Sequence, residues 1–194
     1  MEFESKIRPI QWNNGVSKML DQTIIPYEYK YIDITSGDKM YEAIQTMIVR
    51  GAPAIGIAGA HGVVLYAQEG AKKYSDINEF KNFLLEKAEY LKTSRPTAVN
   101  LMWACSEQQK VIKNSASDIK GLIKELTAKA VEIENDDIER CKKIGDYGAE
   151  VVPKGATILT HCNAGQLATS KYGTATAPMY LGLEKGYNFK IYCD

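Results

Sequence analysis

Ala156-Thr157-Ile158-Leu159-Thr160-His161-Cys162-Asn163-Ala164-Gly165, closed by Phe189-Lys190-Ile191-Tyr192-Cys193, is the stretch that decides the fold. Ala156 to Thr160 reads as a short buried-type strand after the turn at Pro153-Lys154-Gly155, and His161 to Gly165 reads as a turn. Gln166 to Lys185 reads as a helix, stopped by Gly186-Tyr187-Asn188, and Phe189 to Cys193 reads as a second strand. Strand, helix, strand in that order is the opening of a parallel α/β sheet. Such a unit needs further strands and a second helical layer, so a sheet truncated at residue 194 is expected.

The region upstream has a different pattern. Residues 1–35 read as strands and turns, with Ile24 to Ile34 rich in β-formers and Asn13-Asn14-Gly15 a hairpin signal. From Ser36, a plausible N-cap, the period turns helical through about Val49. A second helix is expected from Pro53 to about Glu69 and a third from Asp76 to Lys92. The third has capping-box spacing at Asp76 and Glu79 and an apolar stripe of Phe80, Phe83, Leu84, Ala88 and Leu91. A fourth follows Thr97. A fifth, continuous or broken, covers about Ser117 to Gly148. The fold class is therefore α/β: a small N-terminal strand-plus-helical-bundle domain over residues 1–150, then the start of a Rossmann-like parallel α/β domain over 151–194.

Composition narrows the function classes. The 194 residues carry 24 Lys+Arg and 24 Asp+Glu, and this zero net charge argues against a dedicated nucleic-acid or anionic-membrane surface. The four cysteines, at 105, 141, 162 and 193, and the two histidines, His61 and His161, lack the spacing of a structural zinc site. Scattered cysteines without a secretory leader over Met1 to Pro9 read as cytoplasmic and reduced. Gly51 to Ala67 is the most apolar run. It holds four Gly, a Pro and a His, is short against the ~20 apolar residues a bilayer needs, and reads as a buried helix.

Three helix entries can carry chemistry. Arg50-Gly51-Ala52-Pro53 sets a forked cation beside a helix start that a ligand can approach closely, a reasonable anion site; the plainer alternative is a helix entry with a solvent Arg. Ser94-Arg95-Pro96-Thr97-Ala98-Val99-Asn100 repeats the arrangement, with Thr97 as a cap. Thr160-His161-Cys162-Asn163-Ala164-Gly165 lies at the carboxyl end of a strand, where open α/β sheets bind ligands. A helix starting just after it would favour a Cys162 thiolate; a buried, inert Cys is the alternative. His161 and Cys162 are neighbours on opposite faces, which favours a structural His161 over a Cys–His pair. The glycines of Gly56-Ile57-Ala58-Gly59-Ala60-His61-Gly62 fall inside a helix and read as close packing rather than a dinucleotide fingerprint, with His61 a satisfied core histidine. Cys105 and Cys141 read as packing. Asp194 ends the second strand, a ribose position in Rossmann-like folds, and is assigned no role.

Together these segments resemble one family. Arg50 to Ala58, Ser94 to Leu101, Thr160 to Gly165 and the run Leu167-Ala168-Thr169 through Tyr172-Gly173-Thr174-Ala175 are similar to the methylthioribose-1-phosphate isomerases of methionine salvage. That family is grouped with ribose-1,5-bisphosphate isomerases and the regulatory subunits of translation initiation factor 2B. The resemblance implies aldose–ketose isomerisation of 5-methylthioribose 1-phosphate to 5-methylthioribulose 1-phosphate, with no cofactor and no metal, by a homodimer. It implies substrate binding by Arg50, Gly51, Ala52 and Arg95 and catalysis by Cys162. The family's acid, an Asp, falls beyond residue 194. Gln166 and Ser170-Lys171 stand where the family pattern has small residues. Alternatives are a related substrate (5-deoxyribose 1-phosphate or ribose 1,5-bisphosphate), a non-catalytic initiation-factor-like subunit, or a truncated paralogue. Asn163-Ala164-Gly165 and Val99-Asn100-Leu101 weigh against the bisphosphate.

Overall fold

The computed structural model describes residues 7–193. Asp194 and the first six residues of the leader reading lie outside that range. The chain opens with a three-stranded antiparallel sheet in the order β1 (Ile10–Asn13), β2 (Val16–Leu20), β3 (Tyr31–Ile34). The hairpin is set by Asn14 and Gly15, which adopt φ of 46° and 90°, the left-handed pair that a two-residue loop requires. Only Tyr31–Ile34 of the expected strand over 24–34 pairs with β2. The amides of Tyr27 and Glu28 bond back to the Ile24 carbonyl instead, making a turn around Pro26.

Five helices follow: α1 (Gly37–Gln45), α2 (Ala52–Gly70), α3 (Ile77–Lys92), α4 (Val99–Asn114) and α5 (Ile119–Val151). Ser36 caps α1 through the Lys39 amide, and Asp76 caps α3 through the amides of Asn78 and Glu79. Thr97 does not cap α4; the N-cap is Ala98, which has no side-chain acceptor. The fifth helix is unbroken over 33 residues and starts from an Asp118 cap.

Every residue of α2 from Ala54 to Ala67 is buried, so this helix has no solvent face. Its glycines permit that. A Cβ on Gly56 would lie 3.1 Å from the Asn100 carbonyl oxygen, one on Gly59 would lie 2.5 Å from Leu101, and one on Gly62 would lie 2.9 Å from Leu91 and Met40. The helices α1, α3, α4 and α5 and the antiparallel sheet contribute to the core cluster around α2. No helix among the described residues is long and apolar enough to cross a membrane.

The last segment contains β4 (Thr157–Thr160), a 3-10 turn over Gln166–Ala168, α6 (Ala177–Glu184) and β5 (Lys190–Cys193), with β4 and β5 parallel and Thr157 opposite Lys190. The α/β class holds, and two local expectations are corrected. The helix expected over 166–185 begins only at Ala177. Its first part is a loop because Tyr172 and Gly173 sit at φ of 69° and 78°, and because the amides of Ser170 and Thr174 bond to Asp137 and to the Ala164 carbonyl. Strand β4 is not of buried type: Leu159 is 74% exposed and only Thr160 of its four residues is buried, while all four residues of β5 are exposed.

Candidate functional site

The site grows from the amino end of α2. Gly51 is its N-cap at φ 91°, and a Cβ there would fall 2.3 Å from the Cα of Ala168. Both facts demand glycine, and the second places Arg50-Gly51-Ala52 directly against the loop that follows β4. No side chain caps α2 or α4, so the first-turn amides of both helices are left for water or an anion. The two starts are neighbours, because Gly56, one turn into α2, packs on Asn100 in the first turn of α4. Arg50 is exposed beside the first start, and Arg95 is half-buried on the turn leading to the second.

A cleft of about 460 Å³ opens beside these two helix starts. Its walls are Pro53, Gly56 and Ile57 of α2, Val99, Asn100 and Trp103 of α4, and Ile133, Asp136, Asp137, Arg140, Cys141 and Ile144 of α5, with Thr174 at one edge. The structure thus brings together parts of the first two motifs, with Thr174 of the run downstream of the third at the edge. It does not line the cleft with Arg50, Arg95 or Cys162, whose side chains lie outside its walls.

Cys162 is exposed, two residues past β4, with φ at 61°. The expectation that an α-helix starts just after it is corrected, since the following α-helix begins fifteen positions later, at Ala177, beyond the 3-10 turn over Gln166–Ala168. His161 is exposed rather than packed. The turn after Cys162 is pinned from downstream: the Ala164 carbonyl accepts from the Thr174 amide (2.9 Å) and from Thr176 Oγ1 (3.3 Å). Burial pushes the thiols of Cys105 and Cys141 up to about 12, in keeping with packing roles.

His61 is fully buried, its Nδ1 2.9 Å from Ser17 Oγ and its Nε2 3.4 Å from Glu134 Oε2. Glu134 and Asp137 are the functional candidates that the sequence reading passed over. Arg8 Nη2 donates to Glu134 Oε1 at 2.6 Å, and the Trp12 amide donates to Oε2 at 3.0 Å. Burial acts to raise the Glu134 carboxyl, but His61, the Trp12 amide and Arg8 outweigh it and hold the group below the ordinary carboxylate range. Asp137 goes the other way: burial raises it, against the Ser170 amide, which donates to Oδ2 at 2.7 Å. A signal existed in the sequence, because Glu134 and Asp137 interrupt the α5 stripe of Ala130, Ile133 and Cys141 at helical spacing. Ser170 is fully buried among these groups, while Lys171 stacks its Nζ over the Tyr172 ring at 4.9 Å.

Residues 48–194 match the initiation factor 2 subunit family. Among curated proteins, the chain is 47% identical, over 98% of its length, to a 5-deoxyribose 1-phosphate isomerase of Clostridium botulinum (strain Loch Maree / Type A3), covering 55% of that protein. It is 44% identical, over 99% of its length, to one of Bacillus cereus, again covering 55%. The chain therefore spans about half the length of these relatives. Among solved structures, a 5-methylthioribose 1-phosphate isomerase of Pyrococcus horikoshii superposes with a TM-score of 0.89 at 30% identity, over 97% of this chain and 61% of that one. The delta subunit of translation initiation factor eIF-2B from A. fulgidus superposes at 0.87 with 34% identity, over 97% and 54%.

Proposed function

The chain belongs to the initiation factor 2 subunit family, and from that premise we propose that it supplies part of an aldose–ketose isomerase acting on a 5-deoxypentose 1-phosphate. The first candidate substrate is 5-deoxyribose 1-phosphate. The observation that carries this reading is the 47% identity, sustained over nearly the whole chain, to a protein named for that reaction. The ring oxygen of the sugar takes a proton as its bond to C1 breaks; the hydrogen on C2 ends on C1, the C2 hydroxyl gives up its proton as the carbonyl forms there, and the phosphate stays on C1. The uncapped starts of α2 and α4, with Arg50, Gly51, Ala52 and Arg95, are assigned to the phosphate and sugar. Cys162, exposed at the carboxyl end of β4, is assigned as the catalytic thiol. A cytoplasmic homodimer without a cofactor belongs to the same reading.

A second substrate, 5-methylthioribose 1-phosphate, is favoured by the fold match to the Pyrococcus enzyme. The two sugars differ only at C5, and both substituents are apolar. The test is turnover of both, and of ribose 1,5-bisphosphate, by the protein of the complete reading frame. The highest kcat/KM is expected for 5-deoxyribose 1-phosphate, and a preference for the methylthio sugar would reverse the order. Cys162→Ser should lower kcat on the order of 10²–10⁴-fold, and full activity in that variant would remove Cys162 from the chemistry. No turnover of any of the three sugars would favour a non-catalytic subunit.

A further inference from the structure

The loop after Cys162 has little structure of its own. Between Gly165 and Ala177 it makes one 3-10 turn, and its path is set by side chains from distant parts of the chain. Ser170 is where they converge. It is fully buried, and each of its polar groups has a partner on another segment. Its amide donates to Asp137 Oδ2 on α5 at 2.7 Å. Its carbonyl accepts from Arg8 Nε, just before β1, at 3.1 Å. Its hydroxyl donates to the Ile10 carbonyl at 3.3 Å and lies 3.3 Å from Arg8 Nη2 and 3.5 Å from Glu134 Oε1. Arg8 and Glu134 are paired to each other at 2.6 Å, so the clasp is closed on itself.

The clasp sits between the two halves of the proposed site. Two residues upstream, Ala168 lies against the backbone of Gly51 at the start of α2. Four residues downstream, Thr174 donates to the Ala164 carbonyl and pins the turn that follows Cys162. A shift of the Ser170 backbone would therefore pass to the anion-facing helix start on one side and to the cysteine turn on the other. Reactions that depend on placing a thiol against one carbon lose rate steeply with such shifts.

We infer that Asp137 and Ser170 are positioning residues that hold the post-cysteine loop in register with α2. Neither is assigned contact with the reacting atoms. This rests on the isomerase reading above, so the experiment has one arm that does not depend on it. In the complete protein, Ser170→Ala and Asp137→Ala should lower kcat on the order of 10- to 100-fold. KM should stay within about threefold, because the Arg-bearing helix starts are intact. Asp137→Asn, whose amide oxygen can still accept from the Ser170 amide, should recover most of the lost kcat.

In the 194-residue chain, Asp137→Ala should speed amide hydrogen exchange over residues 166–173 and leave α3 unchanged. Faster exchange with unchanged kcat would reduce the clasp to a structural tie and overturn the positioning role. Unchanged exchange would show that the clasp does not hold the loop. A wild-type protein inactive on every pentose 1-phosphate would overturn the isomerase reading and the catalytic half of this inference together, while the exchange arm would still decide whether the clasp exists.

Discussion

Helix α2 is buried on every side, whereas strand β5, with Ile191 and Tyr192 at its centre, stays half-exposed. Every residue from Ala54 to Ala67 is covered, whereas Ile191 and Tyr192 are each 49% exposed. The difference lies in neighbours. The glycines of α2 let α3 and α4 approach to van der Waals contact, so its apolar surface is removed from water on all sides. Among the described residues β4 and β5 pair only with each other, and parallel strands are stable when both faces are covered. The helical region thus carries the chain's stability, and the β4–β5 segment carries the proposed catalytic thiol on a lightly held support.

Four substitutions test that contrast, the largest effect first. Phe80→Ala, in the core that encloses α2, should cost ~3–5 kcal/mol by urea unfolding. A cost near zero would mean that the helical region is not the stabilising one. Gly51→Ala should cost about 1–3 kcal/mol, since the new methyl meets the Ala168 backbone and the residue must keep a positive φ.

Glu134→Gln tests the tie between the two regions through pH. The Glu134 carboxyl is held low in the folded chain, so its stabilisation is complete above the unfolded value of about 4.3 and is lost as pH falls through the lower folded value. The stability gap between wild type and Glu134→Gln should be widest from neutral pH to about 5 and should shrink below that. A gap that widens in acid would contradict the assignment. Asp137, raised by burial, has the opposite sign, adding stability as pH falls, and is present in both proteins of the pair. The smallest effect belongs to Leu159→Ser on β4, expected within about 0.5 kcal/mol. A loss of several kcal/mol would show that β4 is held more firmly than its exposure indicates.

Much of the fold could be read residue by residue. Asn14-Gly15, Ser36 and Asp76 act as their side chains and backbone preferences dictate, and the glycine-rich helix packs closely as its spacing foretold. The misread segments have different causes. Residues 24–30 have strand-like composition, but the Tyr27 and Glu28 amides close a local turn on the Ile24 carbonyl; in 166–176 the Ser170 amide finds Asp137, a partner that local pattern does not reveal. Two of the three helix entries, at Pro53 and at Val99-Asn100, were legible and meet at one cleft; the third, Thr160 to Gly165, leads into a loop and contributes no wall. The carboxylates of Glu134 and Asp137 went unread because a stripe reading assigns such positions to apolar packing, and their burial is tolerable only with Arg8, the Trp12 amide and the Ser170 amide in place.

Sequence alone determined the short-range features: turn, caps, helix periods, and the order of the Arg-Gly, Arg-Pro and His-Cys segments. Those depend on backbone preferences and side-chain bonds spanning four residues or fewer. Tertiary structure decided the path of the chain after Cys162 and the fate of the two buried carboxylates. The Ser170 amide is bound 33 positions away by Asp137, and its carbonyl 162 positions away by Arg8. A buried N–H or carboxylate must find a partner, and only the packed chain determines which one is within reach.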